Sequence, residues 1–494
     1  MAAAVAEPQG RLVEVELSEP ERPELAAIAE QKTFRPYDPE QVLLMAPVLN
    51  EWVPEDDLAH FVSDLVEGSL DLAEIYASYE SERGYPPYDP RLMLKLLVYG
   101  YATGTPSSRK LEQATYRDVA VRMLCADQHP DYRSIARFRR RHLEALAELF
   151  VQALRLCQKA GLVKLGALAI DGTKLRANAS RHKAMSYERM GRAEAQLEAE
   201  IAAIEEQAKA MLEDAEATDQ AEDERYGPDR RGDELPEELA RRESRLKRIR
   251  EAKAALEAEE AERERARHEA AKAEGRKLRK PHPDDEPPTP RASAQRNFTD
   301  PDSKIMKTSD GSFHQCFNGQ AVVDSHAQVI VAADASDEAP DTRQLEPVLE
   351  QLADNLEAIE VALPEGAELL GDAGYFSEEN IKTTSAHGLD PHLATGRFKH
   401  SEPQPPAPRG RIPKDATPKQ RMARKLRTKR GRAVYARRKA IVEPVFGQMD
   451  TVQSARRLLL RGKSTARAQW RFNCAIHNLL KLHRAGGLEL VGVA

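Results

Sequence analysis

The sequence predicts a mixed α/β protein: a helical region comes first, one sheet-bearing domain follows, and a charged helical hairpin interrupts that domain. Three observations carry this reading. Apolar residues recur at three- and four-residue steps as far as about residue 160. Beyond that point short apolar or alternating runs, separated by helical segments, give the order strand, hairpin, helix, strand, helix, strand, helix, which suits a mixed sheet. Between the first strand and the hairpin lies a long charged stretch with a narrow heptad seam.

Taken in order, residues 1–33 form an acidic Ala/Glu/Pro-rich tail with too little apolar surface to fold, so it is expected to be disordered. Residues 34–160 read as helical. LLMAPVLNEWV, DLAHFVSDLV and DPRLMLKLLVYGYATG carry the helical period, broken by Pro and Gly. Ser107 and Ser134 stand where N-caps belong, opening SSRKLEQATYRDVAVRML and the helix of HPDYRSIARFRRRHLEALAELFVQAL. Two short helices followed by one beginning at Ser134 and bearing Arg137, Arg139, Arg140, Arg141 and His142 resemble a helix-turn-helix. An ordinary helical domain with a basic solvent face is the other reading, and this stretch alone does not separate them.

In residues 161–184, LVKLGALAIDGTKLRA holds a short apolar run with Gly on both sides. It reads as a buried strand with Asp171 at its end. Residues 185–290 read as a projecting arm. Leu197, Ile201, Ile204, Ala208, Met211 and Ala215 form one stripe, and Leu246, Ile249, Ala252 and Leu256 another. YGPDRRGDELPEE supplies a turn between them, and KLRKPHPDDEPPTPRAS a linker back to the body.

Residues 291–485 complete the sheet domain. Two alternating runs flank Asp324-Ser325-His326-Ala327, a hairpin signal. DTRQLEPVLEQLADNLEAI is an amphipathic helix. AELLGDAGYFSEENIKTTSAHG is strand, turn and helix with Asp372 at the strand's end, and PHLATG is a further strand. A basic run and a final helix containing Trp470 follow.

Charge is polarised along the chain. From residue 391 to 494 there are 24 Lys+Arg against 5 Asp+Glu, whereas the other 390 residues hold 50 against 76. Such asymmetry favours a polyanion as partner, and apolar residues interleaved in the basic part argue against a merely solvated tail. No run approaches the roughly 18 apolar residues of a membrane helix, and the N-terminus lacks a signal-peptide pattern. Four scattered cysteines without a CxxC pair suit a reducing cytoplasm, where the protein is expected to reside. There is no phosphate-binding Walker loop, GxGxxG or GxSxG, and Cys125, His129 and His142 lack the second cysteine of a zinc finger.

Two acids at strand ends, Asp171 and Asp372, would project at one sheet edge if their strands are neighbours. Paired carboxylates suit Mg²⁺, which takes a few oxygen ligands plus substrate phosphates. Glu443 stands alone in a basic, partly apolar run and could complete the cage. Pro444 disfavours helical geometry at the residue before it, so a helix is expected to restart at Glu443.

The set AIDGTK, GSFHQCFNGQAVVD, EAPDTRQLEPVLEQL, GDAGYFSEENI and YARRKAIVEPVFGQ resembles bacterial insertion-sequence transposases of the DDE class. The resemblance runs from about Phe34 to His483. It implies a ribonuclease H-like catalytic domain in which Asp171, Asp372 and Glu443 bind Mg²⁺, with Mn²⁺ as a substitute. It further implies double-stranded DNA as substrate (terminal inverted repeats and target), with the chain acting as a dimer or larger assembly on it. Arg137, Arg140, Arg141, Lys174, Arg424, Lys425, Arg427, Tyr435, Arg438 and Lys439 are then the expected DNA-contacting residues. Related transposases place a basic residue where Asp450 stands here, a role Arg456 or Arg457 could take. A catalytically inactive DNA-binding descendant, or a structural protein assembled through the arm, are the alternatives.

Overall fold

Local chemistry starts the helices where acidic side chains meet free backbone N–H groups. The computed structural model describes residues 48–79, 87–180, 183–203, 206, 237–273, 275–396, 406 and 409–492. Residues 48–52 contain a short helix, Leu49–Trp52, and the body described below begins at Val53. The expected acidic tail lies outside the described residues. In α1 (Leu58–Gly68) and α2 (Pro90–Ala102), Asp57 and Asp89 accept from the N–H groups of Ala59 and Arg91. Pro90 fills the first turn of α2, where no N–H is missed. Helices α3 (Ser108–Arg117), α4 (Val119–Leu124) and α5 (Tyr132–Arg141) follow. Ser107 sits at the cap position of α3 without a side-chain cap bond. Helix α5 begins at Tyr132, not Ser134. The Asp131 carboxylate accepts from the Ser134 N–H at 2.7 Å, and a charged acceptor is the stronger cap, so Ser134 lies third in the helix. Helix α6 (Leu143–Lys159) completes this region.

The sheet is built from β1 (Ala167–Arg176), β4 (Lys304–Lys307), β5 (Phe313–Asp324), β6 (Ile330–Ser336), β7 (Glu368–Gly371) and β8 (Asp390–Leu393). Its order is β4-β5-β1-β7-β8, with β6 also on β5. β1 is antiparallel to β5 and parallel to β7, and β7 is parallel to β8. Read as β6-β5-β1-β7-β8, with the first three antiparallel and the last two parallel to β1, this is the ribonuclease H-like arrangement. The hairpin expected around Asp324 is the β5–β6 pair. Its strands do not alternate, however: β5 from Gln315 onward and all of β6 are buried on both faces. Helix α9 (Leu345–Ala358) and helix α13 (Lys463–Ala485) pack against them.

Helix α13 locks the parts together. Asn478 donates to the Ile330 carbonyl and accepts from its N–H, both at 2.8 Å, and so acts as a strand neighbour for β6. Trp470 Nε1 donates to the Gln320 carbonyl at 2.8 Å. On its other side α13 packs on α6, where Cys157 Sγ donates to the Asn478 carbonyl at 3.4 Å, and Phe472 meets the Tyr101 ring of α2 edge-on at 4.9 Å. The N-terminal helices and the sheet therefore share one hydrophobic core. All four cysteines are buried free thiols, and burial pushes Cys125 and Cys157 up to about 12. Among the described residues no helix is long and apolar enough to cross a membrane.

Helix α10 (Glu378–Ala386) follows β7, and α11 (Pro418–Arg427) and α12 (Lys429–Thr451) follow β8. α12 runs through Pro444 without restarting at Glu443. The proline removes one donor to the Ala440 carbonyl, and Gln328 supplies another, its Nε2 donating to that oxygen at 2.9 Å. Gln328 also accepts from Lys481 Nζ at 2.8 Å, while its own carbonyl meets His477 Nε2 at 3.0 Å. One residue of the β5–β6 turn thus ties α12 and α13 together.

In the arm, β2 (Ala184–Ser186) leads into helix α7 (residues 187–203), and α8 (Glu237–Ala273) returns toward β3 (Gln295–Asn297). The expected turn, and the seam positions beyond Ile201, lie outside the described residues. Met190, Leu197, Leu246, Ile249, Ala252 and Leu256 form a cluster separate from the main core. At its base β2 pairs with β3, and Tyr187 N–H donates to the Ala294 carbonyl at 2.8 Å.

Two expectations follow. Replacing residues 188–293 by a two-residue Gly-Ser turn should leave a soluble body with a single melting transition near that of the full chain, checked by gel filtration and calorimetry; aggregation would show that the arm covers the main core. Gln328→Ala should cost about 0.5–1.5 kcal/mol, the net worth of the partly exposed hydrogen bonds it removes. Gln328→Gly should also lower the melting temperature, although glycine relieves the left-handed backbone (φ 59°) at that position.

Candidate active site

The acids are set by strand register. β1 and β7 pair Ala167 with Glu368, Leu168 with Leu369 and Ala169 with Leu370. Continuing that register puts Asp171 level with Asp372, the first residue after β7. Asp171 is not at the end of its strand, as the sequence suggested. β1 continues to Arg176 because β5 keeps pairing with it, Arg176 opposite Cys316. β7 stops at Gly371, so the notch that opens beside Asp171 comes from the neighbour's end.

Asp171 is the best-defined group there. Its Oδ2 accepts from Arg438 Nη1 at 2.8 Å, and its Oδ1 from the Gly172 N–H at 2.9 Å. Burial pushes the Asp171 carboxyl up, and the Asp372 charge adds to this, while Arg438 and the Gly172 N–H pull against them. Burial opposes the charge on Arg438, but Asp171, Tyr435 and Asp372 together hold it above its ordinary value. Tyr435, one turn before Arg438, is raised by burial and lies within the same field.

Glu443 stands apart from this pair. On α12 it lies five residues from Arg438, about 140° around the helix, whereas Lys439 shares its side. It is exposed and lines a cleft of about 770 Å³ with Gly172, Thr173, Lys174, Arg176, Asp450, Arg456 and Arg457. Asp450, where a basic residue was expected, is neutralised by Arg456 at 3.3 Å. Among the described residues no three His, Cys, Asp or Glu side chains converge closely enough to hold a metal ion. The structure therefore brings together Asp171, Asp372, Tyr435 and Arg438, and places Glu443 in the cleft beside the same stretch of β1. The pair itself fits a hard divalent cation: two carboxylates at one level, one of them held up by burial and by its neighbour's charge, and both with oxygen donors.

A third acid was missed in the sequence. Asp341 follows β6 and opens the short 3₁₀ turn Asp341–Arg343. Its Oδ1 accepts from Asn318 Nδ2 at 2.8 Å, Gln320 Nε2 at 3.1 Å and Lys174 Nζ at 3.4 Å. Tyr375 is fully buried and donates to Gln320 Oε1. Burial, then the charges of Asp341, Asp171 and Asp372, hold its phenol far above its ordinary value. Two glycines make room for this packing. A Cβ at Gly172 would lie 2.5 Å from Gln320 Nε2 and 3.2 Å from Asp341 Oδ1; one at Gly374 would lie 2.9 Å from Asp372 Oδ1 and 3.1 Å from Asp341 Oδ2. These residues all fall inside the quoted motifs, which was the available signal; nothing in their spacing says that they meet.

The expected DNA-contacting residues divide. Arg137 and Arg140 are exposed on α5. Arg141 folds back, donating to the Ser78 carbonyl with its guanidinium 4.6 Å from the Tyr79 ring centroid. Lys174 is tied to Asp341 and to the Ala339 carbonyl at 3.0 Å. Arg424 donates to the Arg409 and Gly410 carbonyls, Lys425 to Asp390 and to the Pro391 carbonyl, and Arg427 to the Ala423 carbonyl. Lys439 is exposed.

Residues 47–141 match the family model of a transposase domain (DUF772), and residues 287–479 match the transposase DDE domain. Arg137, Arg140 and Arg141 close the first match, Asp341, Asp372 and Glu443 lie within the second, and Asp171 falls between them. No curated protein and no solved structure matches the chain. With two transposase families matched in order along it, on a ribonuclease H-like sheet, the chain belongs to the DDE transposases of insertion sequences.

Proposed function

We propose that this transposase cuts DNA at the ends of its insertion sequence and joins the freed ends to target DNA, with Asp171, Asp372 and Glu443 as its catalytic acids. The observation that carries this is the parallel β1–β7 register, which sets Asp171 and Asp372 side by side at the sheet edge. Such a pair is unfavourable for its own sake, since two partly buried like charges repel, and so suits a cation-dependent task better than a purely structural one.

Asp171 and Asp372 are the residues that would hold the divalent cation, magnesium or manganese, with Glu443 joining them from the cleft. Bound there, the cation would polarise the scissile phosphate and lower the cost of forming the attacking oxyanion. Water oxygen attacks phosphorus, the bond to the 3′-oxygen breaks, and a 3′-hydroxyl and a 5′-phosphate result. In joining, that hydroxyl attacks a target phosphodiester in line and displaces its 3′-oxygen. Arg438 balances Asp171 between turnovers. Arg457 on the cleft wall attracts the backbone, and the exposed Lys439 extends that surface, whereas Arg176 and Arg456 are held by Asp310 and Asp450. Two chains, one on each element end, would pair the reactions. The exposed Arg137 and Arg140 on α5 would read element ends, since base-edge contacts specify whereas phosphate contacts position.

Asp171→Asn and Asp372→Asn should each abolish metal-dependent nicking of a cognate end at any Mg²⁺ concentration, and Glu443→Gln should reduce it at least ~100-fold, as loss of a metal-ion contribution of several kcal/mol implies. Binding of the same duplex should survive in all three; near wild-type nicking by any of them would remove that residue from the set. A chain that bound element ends but never nicked them with Mg²⁺ or Mn²⁺ would be the inactive DNA-binding alternative. Converting Arg137 and Arg140 together to Ala should lower the preference for element ends over scrambled duplex, measured as the ratio of Kd values, by about tenfold or more. An equal loss on both duplexes would make α5 a basic face without readout.

A further inference from the structure

We propose that Asp341 is a positioning residue of the cation site, strengthening cation binding by the Asp171–Asp372 pair through its charge and through the frame it builds. This rests on the reading of that pair given above. Side chains alternate along β1, so Asp171 and Gly172 present opposite faces of the strand. Arg438 covers the Asp171 side, and Asp341 lies against Gly172 on the other. The notch is thus bracketed by a cation on one face and a carboxylate on the other.

The two oxygens of Asp341 have different surroundings. Asn318, Gln320 and Lys174 all donate to Oδ1. Oδ2 lies against Gly374, the glycine whose backbone N–H holds Asp372 Oδ1 at 2.7 Å. Asp341 and Asp372 therefore crowd one glycine from two sides, bringing like charges close in a place that Lys174 balances only from the Oδ1 side. Like charges so placed repel, and a divalent cation beside Asp372 relieves that repulsion. The frame is rigid as well. Gln320 receives the buried Tyr375 hydroxyl, donates to Asn318 Oδ1 at 3.0 Å, and carries the carbonyl that Trp470 holds. Asp341 thus joins the β5 strand to the Asp372 turn, and its charge is part of the field at the notch. Lys174, expected to meet phosphate, is in this structure the counter-ion of Asp341.

The test is direct Mn²⁺ binding to the full chain without DNA, followed by the electron paramagnetic resonance signal of free Mn²⁺, with melting temperature recorded alongside. Asp341→Asn keeps the shape and an acceptor but removes the charge. It should weaken Mn²⁺ binding by about tenfold, the size of effect one nearby charge exerts at an intermediate dielectric. The Mn²⁺ concentration for half-maximal nicking should rise in parallel, with the nicking rate at saturating Mn²⁺ changed far less. Lys174→Met leaves Asp341 unbalanced and should tighten Mn²⁺ binding severalfold; this opposite sign decides the matter if Asp341→Asn does not fold. Unchanged Mn²⁺ affinity in a folded Asp341→Asn, or in Lys174→Met, overturns the proposal and leaves Asp341 a structural acid. Asp171→Asn and Asp372→Asn are the controls. If wild-type binding survives both, the reading of the pair itself fails; if it is lost in both but indifferent to Asp341, only the present inference fails.

Discussion

Everything at the acidic centre depends on a short parallel pairing, three residues of β1 against three of β7. It sets Asp171 level with Asp372, although the two are 201 residues apart in sequence and separated by the whole arm. The pairing works because the two strands are unequal. β1 is ten residues long and held along its length by β5, whereas β7 has four and ends where the acid begins. A longer β7 would bury Asp372 in the ladder and close the notch. A one-residue slip would turn one acid to the opposite face, because side chains alternate along a strand. The arm can enter between β1 and the hairpin without disturbing this register because it leaves and returns at one point, where β2 pairs with β3 and the arm's apolar stripe closes on itself.

Holding the notch in place falls to buried polar groups more than to apolar ones. Asn478, His477 and Trp470 of α13 all bond to the main chain of the β5–β6 hairpin, inside a helix otherwise packed in the core. Unmade, such bonds would cost more than their net worth when made, so they specify one placement of the helix on the hairpin. Gln328 extends the same lock to α12. Its amide accepts the burden of Pro444, and that lets the helix carry Arg438 toward Asp171 and Glu443 toward the cleft on a single rigid axis.

Much of this was legible in the sequence, and the limits have physical causes. The order of strands and helices along the chain, the hairpin around Asp324, the helices of DTRQLEPVLEQLADNLEAI and SEENIKTTSAHG, and the arm's second stripe follow from period and turn chemistry, which are local. Where the reading went astray, a distant group had intervened. Pro444 marks a helix break unless something else satisfies the Ala440 carbonyl, and Gln328 is 112 residues away. Asp171 looks like a strand end because Gly172 follows it, yet that glycine is there so that Gln320 and Asp341 can approach. The hairpin strands seemed to alternate, but they are covered on both faces, by helices the local pattern does not reveal. Asp341 was missed for the same reason: an acid before a helix reads as an N-terminal residue until the fold places it against Gly374.

Charge polarity was also legible, but its meaning was only half so. The surplus of cations after residue 391 suggests a polyanion partner, yet a good part of it is internally committed. Lys425 holds α11 to Asp390 at the start of β8, Lys463 and Arg467 pair with Asp337 and Asp334 near the end of β6, and Arg456 cancels Asp450. These pairs fasten C-terminal helices and loops to a sheet and connections richer in acid. A formal charge count therefore overstates the number of phosphates the region can neutralise, and so the salt dependence of its binding. The cations that retain reach are those with open surroundings on the cleft or on α5. Polarity along the sequence thus does two things at once: it binds the fold to itself where the opposite charges meet, and it leaves a net positive rim only where they do not.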